Sequence, residues 1–182
     1  MFKDHNFLIE RCKQGDENAM MQIYDAYCEA MFHIACRYLN TEDAKDAMQD
    51  SFIKAFSKLD YFTPEFTFGS WLKRIVINHC IDELKKKRLE FIETDLVQLN
   101  IEDDTNDWMF SSEISKQQVI DAIKNLPDKH QIVVNLYLIE GYDHEEISSI
   151  LDIPIKTSRT HLRRGRLQLQ DLLKTNYNEA RY

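Results

Sequence analysis

Chain breakers are scarce here: 182 residues hold four glycines and three prolines. An all-β fold or a βαβ array needs many more tight turns than Gly15, Gly69, Gly141, Gly165, Pro64, Pro127 and Pro154 supply. With helix formers abundant, the expected fold class is all-α. Long apolar runs are missing too. No window reaches the roughly 18 apolar residues of a membrane span, so no direct membrane insertion is expected. The start, MFKDHNFLIERCKQGD, carries Lys3, Asp4, Glu10 and Arg11 and holds no apolar stretch of a secretory signal. Cys12, Cys28, Cys36 and Cys80 form no CxxC pair and read as free or buried thiols of a reducing, cytoplasmic setting. Cys28, His33 and Cys36 could contribute to a metal site, but the helical pattern around them is core-like. No metal and no cofactor is expected.

Basic residues are absent from residues 89–112, which hold seven acids. The whole chain has a formal net charge of -8, and a uniformly acidic surface of that size would repel DNA. Divided along the chain, residues 1–88 have net charge -1 and residues 113–182 net 0. Almost all the acidity lies in one segment. The basic groups of the neutral flanks bunch at 73–88 and 159–166, and a Debye length of about 8 Å lets phosphates sense those patches rather than the distant total.

What is present is helical periodicity. Apolar residues make up 43% of the chain, enough for each flank to bury a core. Helices are expected over about 7–14, 17–39, 41–59 and 68–88, with a loop over 60–67 around Pro64. Ala19, Ile23, Tyr27, Ala30, Ile34 and Tyr38 recur at helical spacing in the second, and Thr41 is the expected N-cap of the third. After the acidic stretch, helices are expected over 113–125, 128–139, 143–150 and 155–174, with Pro127 at the first helical position of the second. This gives two small helical domains, 1–88 and 113–182, on an acidic linker, 89–112.

Three stretches carry functional signals. In 143–174, a short helix with Ile147, Ile150 and Leu151 on one face is broken at Asp152, Ile153 and Pro154. A second helix follows, with Ile155, Leu162, Leu169 and Leu172 or Leu173 for the core. That is the layout of a DNA-reading helix-turn-helix. Arg159, Arg163, Arg164 and Arg166 supply cations, and Thr157, Ser158, Thr160 and His161 are polar groups near the end that meets base edges. A solvated basic face is the plainer alternative. In 68–88, Leu72, Val76, Ile77, Cys80, Ile81 and Leu84 define a core face, while Asn78, Asp82 and Lys85 share another stripe. Lys85, Lys86, Lys87 and Arg88 compensate the helix dipole or track phosphate. Tyr61, Phe62, Phe66 and Phe68 upstream suit stacking on single-stranded bases, or packing in a core. In 43–52, Asp43, Asp46 and Asp50 share a helix face, with Ala44, Ala47, Met48 and Phe52 on the buried side. No His or Cys stands at ligand spacing beside them, so a solvated face or, with Gln49, a protein-docking face is expected rather than catalysis.

Together these stretches resemble an RNA polymerase sigma factor of the sigma-70 family, extracytoplasmic-function (ECF) group. DAKDAMQDSF resembles the family's DAEDxxQExF stretch, and FGSWLKRIVINHCIDELKKKR its FxxWLxxIxxNxxxDxxRKxxR stretch, both in region 2. Residues 126–169 resemble region 4, including its LxIPxGTVxSRLxRAR turn and recognition helix. The resemblance spans about 8–88 and 113–173. It implies that Asp43, Asp46, Gln49 and Phe52 dock on the clamp of the largest core-polymerase subunit. It implies that Asn78, Asp82, Lys85 and Arg88 meet the upstream part of the −10 element, and that the loop with Tyr61, Phe62 and Phe66 captures a flipped base. Thr157, Ser158, Arg159, Thr160, His161, Arg163, Arg164 and Arg166 would serve the −35 element. The implied partners are core polymerase, promoter DNA and an anti-sigma factor, and the chain itself would not be an enzyme.

Several departures from the pattern bear on recognition. Lys156 stands where Gly is usual, Ser158 for Val, His161 where Arg is common, Gly165 for Ala, and Lys85 where Arg is common. Lys cannot make the bidentate fork of Arg. Two other classes compete: a dimeric helix-turn-helix repressor, which leaves 43–52 unexplained, and a helical adaptor, which leaves the arginine run idle. On the sigma reading, the seven linker acids cross basic polymerase channels and discourage DNA binding by the free protein. Replacing all seven with Asn or Gln should raise the free protein's affinity for promoter DNA in a mobility-shift titration. An unchanged affinity would exclude the second of those roles.

Overall fold

The structure, a computed structural model, describes residues 2–63, 65, 67–86 and 114–179. All regular elements among these residues are helical. The chain divides into two compact units, Met1–Arg88 and Leu89–Tyr182. No helix among the described residues is long and apolar enough to cross a membrane.

The first unit contains α1 (Phe2–Lys13), α2 (Glu17–Ala35), α3 (Thr41–Ser57) and α4 (Phe68–Lys86). Gly15, at φ +81°, supplies the left-handed backbone that ends α1. Asp16 then caps α2 by accepting from the Ala19 amide at 3.1 Å. The same carboxylate receives Arg11 Nη2 at 2.6 Å, and that hydrogen bond holds it below the usual carboxylate range. α2 stops at Ala35, short of residue 39, yet Tyr38 and Leu39 remain buried in the looser turn beyond it. Ala30 is exposed, and Met31 takes the core position beside it. The cap of α3 is Asn40 rather than Thr41: Asn40 Oδ1 accepts from the Glu42 and Asp43 amides at 3.1 and 3.0 Å. Asn ranks above Thr at this position, so Thr41 becomes the first helical residue. α2, α3 and α4 pack mutually, burying Ile23, Ile34, Met48, Phe52, Leu72, Val76, Ile77 and Ile81. The expected loop over 60–67 opens with a single 3₁₀ turn, Leu59–Tyr61, anchored by buried Leu59.

Cys12 and Cys80 are buried in this unit. Burial pushes the Cys80 thiol up to about 12, which keeps it protonated and unreactive. Cys28 and Cys36 are half-buried, and none of the four cysteines forms a disulfide.

The second unit contains α5 (Lys116–Lys124), α6 (Asp128–Val134), α7 (His144–Leu151) and α8 (Ile155–Glu179). Ser115 and Gln118 close a capping box on α5. Pro127 sits at the N-cap of α6, one place before the expected first helical position, and its carbonyl accepts from the His130 and Gln131 amides. The helix expected to continue to 139 changes period at Asn135. There Asn135–Ile139 makes a π turn, closed by the Glu140 amide on the Asn135 carbonyl at 3.0 Å. That turn leaves Tyr137, Leu138 and Ile139 exposed. Asp143 and Glu146 form a second capping box that starts α7. Asp152, in the left-handed region at φ 58°, ends it, and buried Ile153 plugs the corner before α8.

α8 lies along α6, and Gly165 sets how closely. A Cβ there would fall 2.6 Å from Val134 Cγ2 and 3.3 Å from His130 Cβ. The glycine therefore removes a clash, and its helix-propensity cost of about 1 kcal/mol is the lesser term. Gly165→Ala should reduce hydrogen-exchange protection of α6 and α8 in the full chain, by about 1–3 kcal/mol of opening free energy. Val134→Ala in the same background should restore part of it. Protection equal to the parent's would mean that α6 yields freely.

Candidate nucleic-acid interface

The buried stripe of α8 decides what its polar residues can touch. Ser158, His161, Leu162, Leu169 and Leu173 are buried, and so is Gly165. Ser158 was expected among the base-edge donors. It is instead fully buried, and its hydroxyl meets His144 Nδ1 at 2.9 Å. His161, also expected on the DNA side, is 2% exposed and its ring lies 5.5 Å from that of His130. His130 Nδ1 in turn meets Gln168 Oε1 at 2.7 Å. Both residues belong to the interior because they point toward α6 and α7, a direction fixed by the close contact at Gly165. Ile155, expected in the core, is 40% exposed at the start of the helix.

The outward residues are Lys156 and Arg159, exposed, with Thr157, Thr160, Arg163, Arg164 and Arg166 half-buried. With 3.6 residues per turn, Lys156, Thr160 and Leu167 fall within about 30° of the direction opposite the buried stripe. Arg163 and Arg164 straddle that direction, and Arg159 and Arg166 lie to one side of it. Arg164 and Arg166 interact with other protein groups, whereas Arg159 and Arg163 make no ion pair among the described residues. Thr160 donates its hydroxyl to the Lys156 carbonyl at 2.9 Å, leaving the oxygen outward as an acceptor. Lys156 and Leu167 are exposed on this stripe as well, and the periodicity of the apolar positions would have placed both outside.

On α4, Asp82 and Lys85 are exposed and Asn78 half-buried, opposite the core side formed by Leu72, Val76, Ile77 and Cys80. Arg74, exposed one turn before Asn78, joins the same stripe and could have been found by counting back four. Glu83 receives Lys86 Nζ at 2.6 Å, and this bond raises the ammonium above its ordinary range. The loop before α4 separates its aromatics. Tyr61 is 78% exposed, while Phe62 is 7% exposed and packs on Phe68 and Trp71 with ring centroids 5.6 and 5.5 Å away. Phe62 is thus a core residue and not a stacking platform. Its neighbour Leu59 fixes the turn on one side and the aromatic cluster on the other. Phe66 and Arg88 lie outside the described residues.

The α3 face is narrower than expected. Asp46, Gln49 and Asp50 are exposed, but Asp43 is half-buried, and its Oδ2 receives Asn40 Nδ2 at 2.7 Å. Phe52 is 2% exposed, with its ring 4.8 Å from that of Tyr24, so it belongs to the core rather than to a docking surface. The apolar member of the outer face is Ile53, 68% exposed and one turn beyond Gln49 and Asp50. Asp50 also approaches His79 of α4 at 3.7 Å. Among the described residues, no group of three His, Cys, Asp or Glu could hold a metal ion.

Comparison with known proteins matches residues 23–90 to Sigma-70 region 2 and residues 116–169 to Sigma-70, region 4. The chain is 32% identical over 179 residues to the ECF RNA polymerase sigma factor SigW of Bacillus subtilis, covering 91% of this chain and 95% of the relative. It is 30% identical over 175 residues to the ECF RNA polymerase sigma-E factor of Haemophilus influenzae, covering 90% and 92%. Among solved structures, it is similar to the sigma factor RpoE of Bartonella quintana, in complex with the anti-sigma factor NepR. That TM-score is 0.54, at 24% identity over 85% of this chain and 96% of the other. It is also similar to CnrH in complex with the cytosolic domain of CnrY, with a TM-score of 0.51 at 22% identity over 93% and 96%. At these identities the two structures speak to the fold.

The two loop aromatics should respond differently to truncation. Phe62→Ala should cost about 3–5 kcal/mol of first-unit stability, and Tyr61→Ala less than about 0.5 kcal/mol, both read from hydrogen exchange of α4. Equal losses would place both rings in the core.

Proposed function

The chain belongs to the ECF group of the sigma-70 family, and from that membership we propose how its two units share the work of initiation. A member of this family binds core RNA polymerase and directs it to specific promoters, and this chain is such a factor. The polymerase performs the chemistry, so the chain acts without a catalytic site of its own and works in the cytoplasm beside the nucleoid. Residues 1–88 dock on the clamp of the largest subunit and serve the −10 element, residues 113–182 serve the −35 element, and 89–112 link them.

Docking falls to the outer face of α3, where Asp46, Gln49 and Asp50 offer acceptors to a basic partner and Ile53 a central apolar contact. Asp43 contributes by ordering the first turn of α3 through Asn40. The α4 stripe, Arg74, Asn78, Asp82 and Lys85, meets the upstream −10 region, with Arg88 continuing it by resemblance. Exposed Tyr61 is the ring available to stack on an unpaired base, and Phe66 has that role by resemblance alone. Once the duplex is engaged, α8 lies in the −35 major groove. Thr160 and Arg163 face the base edges, and Thr157, Arg159, Arg164 and Arg166 are disposed toward the phosphate walls. One solved relative is bound by an anti-sigma factor, which supports the same kind of partner for this chain.

The observation that carries this reading is the segregation of both units. Each buries an apolar stripe and presents polar residues of its motif on the other side: Asp46, Gln49, Asp82 and Lys85 in the first unit, Arg159, Thr160 and Arg163 in the second. Arg163→Ala and Arg164→Ala together should weaken holoenzyme binding to a −35 promoter. They should also flatten its salt dependence by about 0.9 per lost phosphate contact in the log–log slope. Unchanged binding and initiation in run-off transcription with core polymerase would count against the assignment.

A further inference from the structure

Four departures in the recognition helix, Lys156, Ser158, His161 and Gly165, divide sharply by burial. Ser158, His161 and Gly165 are buried and change how α8 packs. Lys156 alone faces solvent, as the second residue of α8. A cation there sits at the electropositive end of the helix dipole, where it is unfavourable. The first turn of α8 holds no acid to offset it. Among the described residues Lys156 makes no ion pair. The fold gains nothing visible from this ammonium, and its position on the outward stripe with Thr160 directs it at whatever α8 approaches.

We propose that Lys156 is a specificity-determining residue that reads a guanine at one outer position of the −35 element, a contact that the family's usual glycine cannot make. The inference rests on the reading of α8 as the −35 helix. In the major groove a G·C pair presents two adjacent acceptors, O6 and N7 of guanine, with no donor between them. Adenine pairs its N7 with an amino donor that repels an ammonium, and thymine offers one oxygen beside a methyl group. A compact ammonium with three donors therefore favours guanine. Lys156 lies within about 30° of the groove-facing direction, unlike Arg159, which lies to the side, so the base edges are nearer to it than either phosphate wall. The N-terminal end of such a helix is also the part that reaches bases.

The test uses holoenzyme assembled from the full chain and core polymerase, binding a promoter pool randomised over the −35 element, with the bound fraction sequenced. The parent should enrich guanine at one outer position, and Lys156→Ala should lose about tenfold of discrimination at that pair while other positions keep theirs. Lys156→Arg, which keeps the cation and its donors, should retain the preference. The thermal midpoint of Lys156→Ala should equal or exceed the parent's, because an unfavourable dipole contact is removed. Uniform weakening over all sequences, with the salt slope reduced by about one, would overturn the proposal in favour of a phosphate contact. An unaltered pool would overturn it outright. Arg163→Ala is the parallel arm: if it too leaves binding unchanged, the −35 assignment of α8 fails, whereas an effect of Arg163→Ala alone refutes only the role of Lys156.

Discussion

The close approach of α6 and α8 at Gly165 governs what the second unit can offer to a partner. A helix seated through a glycine directly on its neighbour's side chains has little rotational freedom. Val134 and the His130 backbone lie within a few ångströms of where a Cβ would be. Once that contact is set, the 3.6-residue period assigns every other position on α8. Ser158 and His161 must turn inward, and Lys156, Thr160 and Arg163 must turn out. The interior then has to hold two polar side chains: Ser158 pairs with His144, and the His161 ring lies against that of His130. On the outer face, Lys156, Arg159 and Arg163 make no ion pair among the described residues.

The first unit solves a related problem by different means. Its functional loop precedes α4 and contains too few residues to bury a core of its own. The loop is held by Leu59 and Phe62, which insert into the α1–α4 assembly, and Phe62 joins Phe68 and Trp71 in one aromatic cluster. Tyr61 is exposed because its neighbours are anchored. The α3 face follows the same logic: Phe52 reaches inward to Tyr24, so its successor Ile53 must point away. In both units, an exposed side chain of the motif sits directly beside a buried anchor.

That adjacency explains which features were legible in the sequence. The helices, their order and the outward placement of Asp46, Gln49, Asp82, Lys85 and Arg159 follow from apolar periodicity, a signal averaged over many residues. Single-residue assignments were less secure where a motif mixes anchors and readers. Phe52, Phe62, Ser158 and His161 sit inside functional motifs, and their chemistry suits an interface. Only the three-dimensional direction of each side chain separates them from Ile53, Tyr61 and Arg159. The π turn at 135–139 was invisible for another reason. Its residues keep a helical composition, and the change from four- to five-residue hydrogen bonding leaves no compositional trace. Helix starts shifted by one residue at Asn40, where two competent capping residues stand side by side, and at Pro127, which caps α6 through its carbonyl alone.

The hydrogen bond between Ser158 and His144 has a consequence for how promoter choice can be altered by exchange of parts. A recognition helix grafted from a relative with Val, Arg and Ala at positions 158, 161 and 165 would meet a socket shaped for Ser, His and Gly. His144 would lose the Ser158 hydroxyl, an arginine would have to be buried beside His130, and a methyl group would collide with Val134. The readable outer stripe is interchangeable residue by residue, but the helix that carries it is not. In this chain α6, α7 and α8 form one heritable block, and a transplant of specificity succeeds only if it moves the block or stays on its surface.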